Sequence, residues 1–188
     1  MIIYVMRHGQ TNYNQLHLCN DDPSRDVHLT PEGIAQAQAA AEKLRDARLE
    51  HILTSQLPRT QQTAQIVNQY HKARITPHGD INDIRSGFDG KPVADYFAAI
   101  AHDRINAAPP GGESLKAHKQ RVHEFFDWLV TNPWESVLVV AHEETLRAAN
   151  AYFLGQTDDE MLDQHFDNCQ IIEFDSEVRE RADIGNSR

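Results

Sequence analysis

Short apolar runs alternate along this chain with longer stretches whose apolar residues recur at helical spacing. The runs 2–6, 51–54, 73–76, 136–141 and 170–175 read as strands. A helix is expected over 31–47, with Thr30 as N-cap and Pro31 at its first position, and with Ile34, Ala37, Ala41 and Leu44 on one apolar face. A second is expected over 114–131, where Val122, Phe125, Phe126, Leu129 and Val130 share a stripe that reads as core. Further helices are expected over 93–106 and 143–154. Strands alternating with helices predict an α/β fold with a mostly parallel sheet covered on both faces. The stretch 78–113 is the least regular, with loops at His78-Gly79-Asp80, at Ser86 to Gly90 and at Ala108 to Gly112.

Length and composition narrow the picture. A chain of 188 residues fits one domain over 1–188 and can bury a proper core. A formal charge of −10 speaks against a nucleic-acid partner, because contacts to a phosphate backbone need a basic face. It leaves room for a small phosphorylated substrate, since a few arginines in a cleft dominate the local field. Cys19 and Cys169 do not make a disulfide framework. No apolar stretch reaches membrane-spanning length and no secretion-signal pattern precedes the first strand, so no membrane partner and a cytoplasmic setting are expected. Nothing in the sequence decides the oligomeric state.

The candidate chemistry lies where the apolar runs end. The first delivers Arg7-His8-Gly9-Gln10-Thr11, a cation, an imidazole and a glycine able to turn tightly. The run Val137 to Ala141 ends in His142 and Glu143, and Arg59 follows Pro58 at a helix start. A first-turn position is a poor one for a cation beside the helix dipole, which hints at an anion nearby. Ligands of open α/β sheets bind at the carboxyl edge of the strands, where two histidines and two arginines make a cationic cup for a tetrahedral dianion. Neutral imidazole suits nucleophilic attack on phosphorus, so His8 is the expected nucleophile; Arg7, Arg59 and a protonated His142 would hold the phosphoryl oxygens. Gln10, Thr11 and Asn14 would add neutral substrate contacts, although Asn14 fits a local turn cap equally well. His118 and His123 stand five apart and share no helix face, and no Cys/His cluster has metal spacing, so neither metal nor cofactor is expected.

These pieces, taken in order, resemble the histidine phosphatase (phosphoglycerate mutase-like) superfamily. The matching segments are Arg7 to Thr11 with Asn14, Leu29 to Ala37, Ser55 to Ala64, Pro110 to Ser114, Val137 to His142, and Asp167-Asn168-Cys169 before the last strand. The resemblance implies a three-layer α/β/α sandwich with a mostly parallel central sheet, a site at its carboxyl edge, and a segment, here 78–113, arching over the pocket. It implies a phosphohistidine on His8, no metal, and a carboxyl group that protonates the leaving oxygen. The loop that usually carries a glutamate for this reads Ile81 to Gly90 here and puts Asp83 in that position, one methylene shorter. Where many relatives have small residues after the second histidine, this chain has Glu143-Glu144, and an acid-phosphatase branch uses an acidic residue there as proton donor. Asp83, Glu143 or no dedicated acid all stay open at this point. The expected activity is hydrolysis of a small phosphomonoester. Phosphoglycerate mutase chemistry, removal of phosphate from a protein phosphohistidine, and a non-catalytic phosphoester-binding module are the alternatives.

Overall fold

The computed structural model describes residues 1–177; residues 178–188, which the one-domain reading takes in, lie outside the described residues. Five strands, β1 (Ile2–Arg7), β2 (His51–Thr54), β3 (Arg74–Pro77), β4 (Ser136–Ala141) and β5 (Ile171–Asp175), form one sheet in the order β3-β2-β4-β1-β5. All neighbours run parallel except β1 and β5. The helices are α1 (Asn12–Leu16), α2 (Pro31–Leu44), α3 (Pro58–Val67), α4 (Val93–Ile100), α5 (Leu115–Leu129), α6 (Glu143–Leu154) and α7 (Asp158–Leu162).

The alternation of side chains along each strand builds two cores. Ile3, Val5, Leu53, Val137 and Val139 pack on one face against Phe125, Phe126 and Leu129 of α5 and Leu146 and Ala149 of α6. Met6, Ile52, Leu138 and Val140 pack on the other against Ala37, Ala41 and Leu44 of α2 and Ala64 and Val67 of α3. Every residue of β4 is buried, as expected of a central strand covered twice. The result is a three-layer α/β/α sandwich. No helix among the described residues is long and apolar enough to cross a membrane.

The expected elements recur with three physical corrections. On α2 the buried face runs through Gly33, Ala37, Ala40, Ala41 and Leu44, while Ile34 is 41% exposed. The stripe is turned by one residue because the helix start lies backbone to backbone on the turn after β1. A Cβ added to Gly33 would stand 2.0 Å from the Gln10 carbonyl oxygen, and one added to Gly9 would stand 2.6 Å from the Gly33 carbonyl oxygen. The helix expected over 93–106 stops at Ile100, because Asp103 Oδ1 takes the amides of Ile105 and Asn106 into a local turn. Val130 is the C-cap of α5 and only partly buried, packed at the margin of the first core. The short α1 was not anticipated, being too brief to show a period.

The close approach at Gly33 reverses the usual effect of alanine. In an ordinary helix interior Gly→Ala stabilises by roughly 0.5–1 kcal/mol. Here Gly33→Ala is expected to lower the urea unfolding free energy by about 2 kcal/mol, because backbone rather than a side-chain tip must yield. A stabilised variant would refute the contact.

Candidate active site at the carboxyl edge of the sheet

Register brings the two histidines together. β1 and β4 are parallel neighbours with Arg7 opposite Ala141, so His8 and His142 leave the sheet at the same level. The His8 amide donates to the Ala141 carbonyl at 3.0 Å, and the two rings meet edge to face with centroids 5.3 Å apart. Around the turn, the Gly9 amide donates to Thr63 Oγ1 at 3.1 Å and Asn168 Nδ2 donates to the His8 carbonyl at 3.0 Å. Arg7, His8, Arg59, Asp83 and His142 line one cavity of about 170 Å³.

Hydrogen-bond partners fix the state of His8, and burial keeps both rings neutral. His8 Nδ1 lies 2.7 Å from the Gly9 carbonyl, an acceptor, so that nitrogen carries the proton. Nε2 is then an acceptor, and Arg59 Nε donates to it at 3.1 Å. Burial first, then the charges of Arg59, His142 and Arg7, hold His8 well below the ordinary imidazole range. His142 Nδ1 receives Arg59 Nη2 at 3.3 Å, and its Nε2–H donates to Ser55 Oγ at 2.9 Å, which in turn meets Thr60 Oγ1 at 2.8 Å. Burial, and then Arg59 above the other nearby charges, depress His142 likewise. A protonated His142, expected from the sequence as an extra donor, is therefore corrected to a neutral ring: a second buried cation beside Arg59 is disfavoured.

Arg59 is the hub. Buried at position two of α3, it donates from Nη1 to Asn20 Oδ1 at 2.6 Å, and from Nη2 to the Asn20 carbonyl at 3.0 Å and Asp83 Oδ2 at 2.8 Å. Asp83 Oδ2 also lies 3.4 Å from His142 Nδ1. The shorter aspartate reaches the cup because its loop is drawn in: the Gln56 amide donates to Asn82 Oδ1 at 2.8 Å, and Asn82 Nδ2 donates to Gln56 Oε1 at 2.9 Å.

The neutral contacts expected after His8 divide differently. Thr11 is buried outside the cavity as N-cap of α1, in a capping box with Asn14: Asn14 N donates to Thr11 Oγ1 at 3.1 Å and Thr11 N to Asn14 Oδ1 at 2.9 Å. Asn14 still lines the cavity, so both readings of it have a basis. Gln10 turns toward α2, where its Oε1 accepts from the Thr30 hydroxyl at 2.9 Å, and it lines only an adjoining compartment of about 490 Å³. Thr11 is thus corrected from a substrate contact to a cap, and Gln10 is moved to the outer compartment.

Glu143 is tied to three nitrogen groups: Arg7 Nη1 at 2.8 Å, Arg147 Nη2 at 2.9 Å and His165 Nδ1 at 3.0 Å. Arg7 Nη1 also donates to the Phe166 carbonyl, whereas its buried Nε has no partner. Glu144 lines the same cavity; burial raises it above the ordinary carboxyl range, against the pull of Arg147, which grips both its oxygens at 3.0 and 3.1 Å.

Sequence reasoning missed Asn20, Ser86 and Tyr96, and gave Ser55 and Glu144 no role of their own. Of the segment expected to cover the pocket, Asp83, Ile84, Ser86, Val93 and Tyr96 line it. Asn20 arrives on a loop tied to that segment: Asp89 Oδ1 accepts from Asn20 Nδ2 and the Asp21 amide, both at 3.0 Å, and Asp21 Oδ2 accepts from the Ser86 amide at 2.7 Å. The turn-forming Asn20-Asp21-Asp22-Pro23 was readable as a loop, but no periodicity connects it to residue 89. Cys19 also lines the cavity with its thiol pushed up by burial to about 11, which leaves it a poor nucleophile.

Behind the Asp83 loop lies a buried ion cluster. Arg121 Nη1 donates to the carbonyls of Asp80 at 2.7 Å and Asn82 at 3.2 Å, while its Nη2 donates to Glu113 Oε1 at 2.5 Å and to His118 Nδ1 at 2.9 Å. The Arg85 amide donates to Glu113 Oε1 at 3.0 Å, and Glu113 N to the Arg85 carbonyl at 2.8 Å. Burial pushes Glu113 up, but the neighbouring His118 and the hydrogen bonds from Arg121 and the Arg85 amide prevail and bring it down to about 2. His118 is thereby part of a scaffold that clamps both sides of Asp83 to α5.

Comparison with known proteins gives the family and the fold. A sequence model of the histidine phosphatase superfamily (branch 1) matches residues 3–182. The chain is 30% identical over 178 residues to a 2,3-bisphosphoglycerate-dependent phosphoglycerate mutase of Brucella anthropi, a match covering 86% of this chain and 85% of that protein. The alpha-ribazole phosphatase of Shigella flexneri superposes with a TM-score of 0.84 at 26% identity, over 93% of this chain and 90% of that one. A mycobacterial glucosyl-3-phosphoglycerate phosphatase in complex with VO3 superposes with a TM-score of 0.78 at 26% identity, over 92% of this chain and 91% of that one.

The Glu113 cluster makes stability depend on pH. A depressed carboxyl stabilises the fold above the ordinary range near 4.5 and loses that contribution as pH falls toward 2. Glu113→Gln is expected to cost about 3 kcal/mol of unfolding free energy at pH 7. The gap to wild type should close between pH 4.5 and 2 in denaturant titrations. A gap that persists undiminished at pH 2 would contradict the ionic origin.

Proposed function

The chain belongs to the histidine phosphatase superfamily, and from that premise we propose that it is a metal-independent phosphomonoester hydrolase acting on a small phosphorylated metabolite through a phosphohistidine on His8. The observation that carries the reading is His8 itself: a neutral ring, its Nδ1 proton spent on Gly9, its Nε2 lone pair facing the buried Arg59 guanidinium. Nε2 attacks phosphorus as the bond to the leaving oxygen breaks. Arg7, with its unpartnered Nε, and Arg59 take the charge on the phosphoryl oxygens. Asp83 delivers the proton to the leaving oxygen. It starts as the carboxylate partner of Arg59, so the proton is brought by the phosphoester bound as its monoanion. Water then attacks the phosphohistidine, releasing inorganic phosphate and restoring the His8 lone pair. Glu143 is the weaker candidate acid, because its carboxylate is already engaged by Arg7, Arg147 and His165.

A second reading, phosphoryl return in a mutase cycle, draws its support from the 30% identity to the Brucella anthropi mutase. Phosphate release from 4-nitrophenyl phosphate with a chelator present, lost in His8→Ala, is the expected result for the hydrolase. Interconversion of phosphoglycerates that depends on a bisphosphorylated primer would favour the mutase instead.

Asp83 has its own signature. Asp83→Asn should slow hydrolysis of an alkyl phosphate by about 10²–10³-fold and that of 4-nitrophenyl phosphate, whose leaving group needs little proton help, by under about tenfold. Equal losses on both esters would remove Asp83 from the acid role.

A further inference from the structure

Beyond the cup, the walls of the cleft carry charge of one sign. Among the described residues, the arginines lining its two compartments are Arg7 and Arg59, both part of the cup, and no lysine lines either compartment. The acidic lining groups are Asp83, Glu143 and Glu144 in the inner compartment, with Asp167 joining Glu143 in the outer one. Arg147, one turn further along α6, is engaged by two of these carboxylates, holding Glu144 at 3.0 and 3.1 Å and Glu143 at 2.9 Å. His165, at the outer compartment, stands between Glu143 at 3.0 Å and Asp167 at 3.4 Å. Exposed His17 also lines the outer compartment. A phosphoryl group therefore finds two guanidinium groups at the base of the cleft, whereas a second anion on the same substrate finds carboxylates and no uncommitted arginine or lysine.

We infer that this site selects phosphomonoesters whose alcohol portion carries no second anionic group, and that Glu144 is a specificity-determining residue that turns away carboxylate-bearing and bisphosphorylated substrates. The inference rests on the hydrolase reading above and deepens it. Glu144 touches none of the cup side chains in a hydrogen bond; it lines the cavity, and Arg147 Nη1 binds both its oxygens. Its charge thus acts on what the cavity admits, through like-charge repulsion inside a partly desolvated cleft.

A matched pair of substrates tests this. Glycerol 3-phosphate and 3-phosphoglycerate share a carbon skeleton and a phosphoryl group and differ in a hydroxymethyl against a carboxylate. With wild-type enzyme, kcat/KM for phosphate release should favour glycerol 3-phosphate by about thirtyfold, the size expected for one like-charge contact across such a cleft. Glu144→Gln, which keeps a carbonyl for Arg147, should shrink that ratio to under about fivefold. Equal turnover of the two esters by wild type, isomerisation of 3-phosphoglycerate, or a ratio unmoved in Glu144→Gln would each overturn the inference. 4-Nitrophenyl phosphate separates the two levels of the argument. Its His8-dependent turnover alongside no preference within the pair sinks the selectivity alone, whereas no turnover of any of the three esters by folded protein sinks the hydrolase reading and the selectivity with it.

Discussion

A guanidinium buried at the start of α3 organises the carboxyl edge of this sheet. Arg59 cannot shed its charge, and a buried cation is tolerated only when acceptors surround it. The chain supplies them from four separate places: Asn20 from the loop after α1, Asp83 from the loop after β3, His8 from the end of β1 and His142 from the end of β4. Each pays for its approach in freedom, and each is left in one chemical state. The two imidazoles stay neutral because burial, and then that guanidinium, disfavours a proton on either. One consequence is structural, since two long loops converge on a single side chain. The other is chemical, since His8 keeps an oriented lone pair at a site built for an anion.

The strands and helices were legible because burial on two faces writes itself as apolar runs and burial on one face as helical stripes. The pairing of His8 with His142 was legible for the same reason: two runs ended in histidine, and parallel register did the rest. Arg59 announced itself through an unfavourable place on a helix dipole. What stayed hidden depended on backbone approach or on loops meeting loops. Ile34 looked like a core residue until the contact of Gly33 with Gln10 turned the helix by one position. Thr11 and Gln10 looked like ligands because they follow His8, but the amides and hydroxyls of α1 and α2 claim them first. Asn20 had no period to reveal it, since its position is set by Asp89, far along the chain.

The site divides between a rigid floor and a clamped wall. His8 and His142 stand on strands with no exposed residue between Ile2 and Met6 or along β4, so their separation is as fixed as the sheet. Asp83 stands on a loop, where an aspartate in place of a glutamate must make up a missing methylene. The reciprocal Gln56–Asn82 amide pair and the Arg121–Glu113 cluster hold that loop against the turn before α3 and against α5. A loop secured on both sides behaves as part of the scaffold, which is how a short side chain reaches a buried partner at 2.8 Å.

The glutamates after His142 follow a similar logic with the opposite sign. The first turn of α6 has a dipole that favours negative charge, and Glu143 and Glu144 meet that preference from within the chain. Arg147, three and four residues on, completes their pairing. The attraction for an anion that a bare helix start would spread across the cleft is thereby confined to Arg7 and Arg59. Concentrating positive charge in the cup and lining the wall with carboxylates lets one cleft grip a phosphoryl group firmly while discriminating against a second negative charge a few ångströms away, a distinction that a uniformly basic pocket has no means of making.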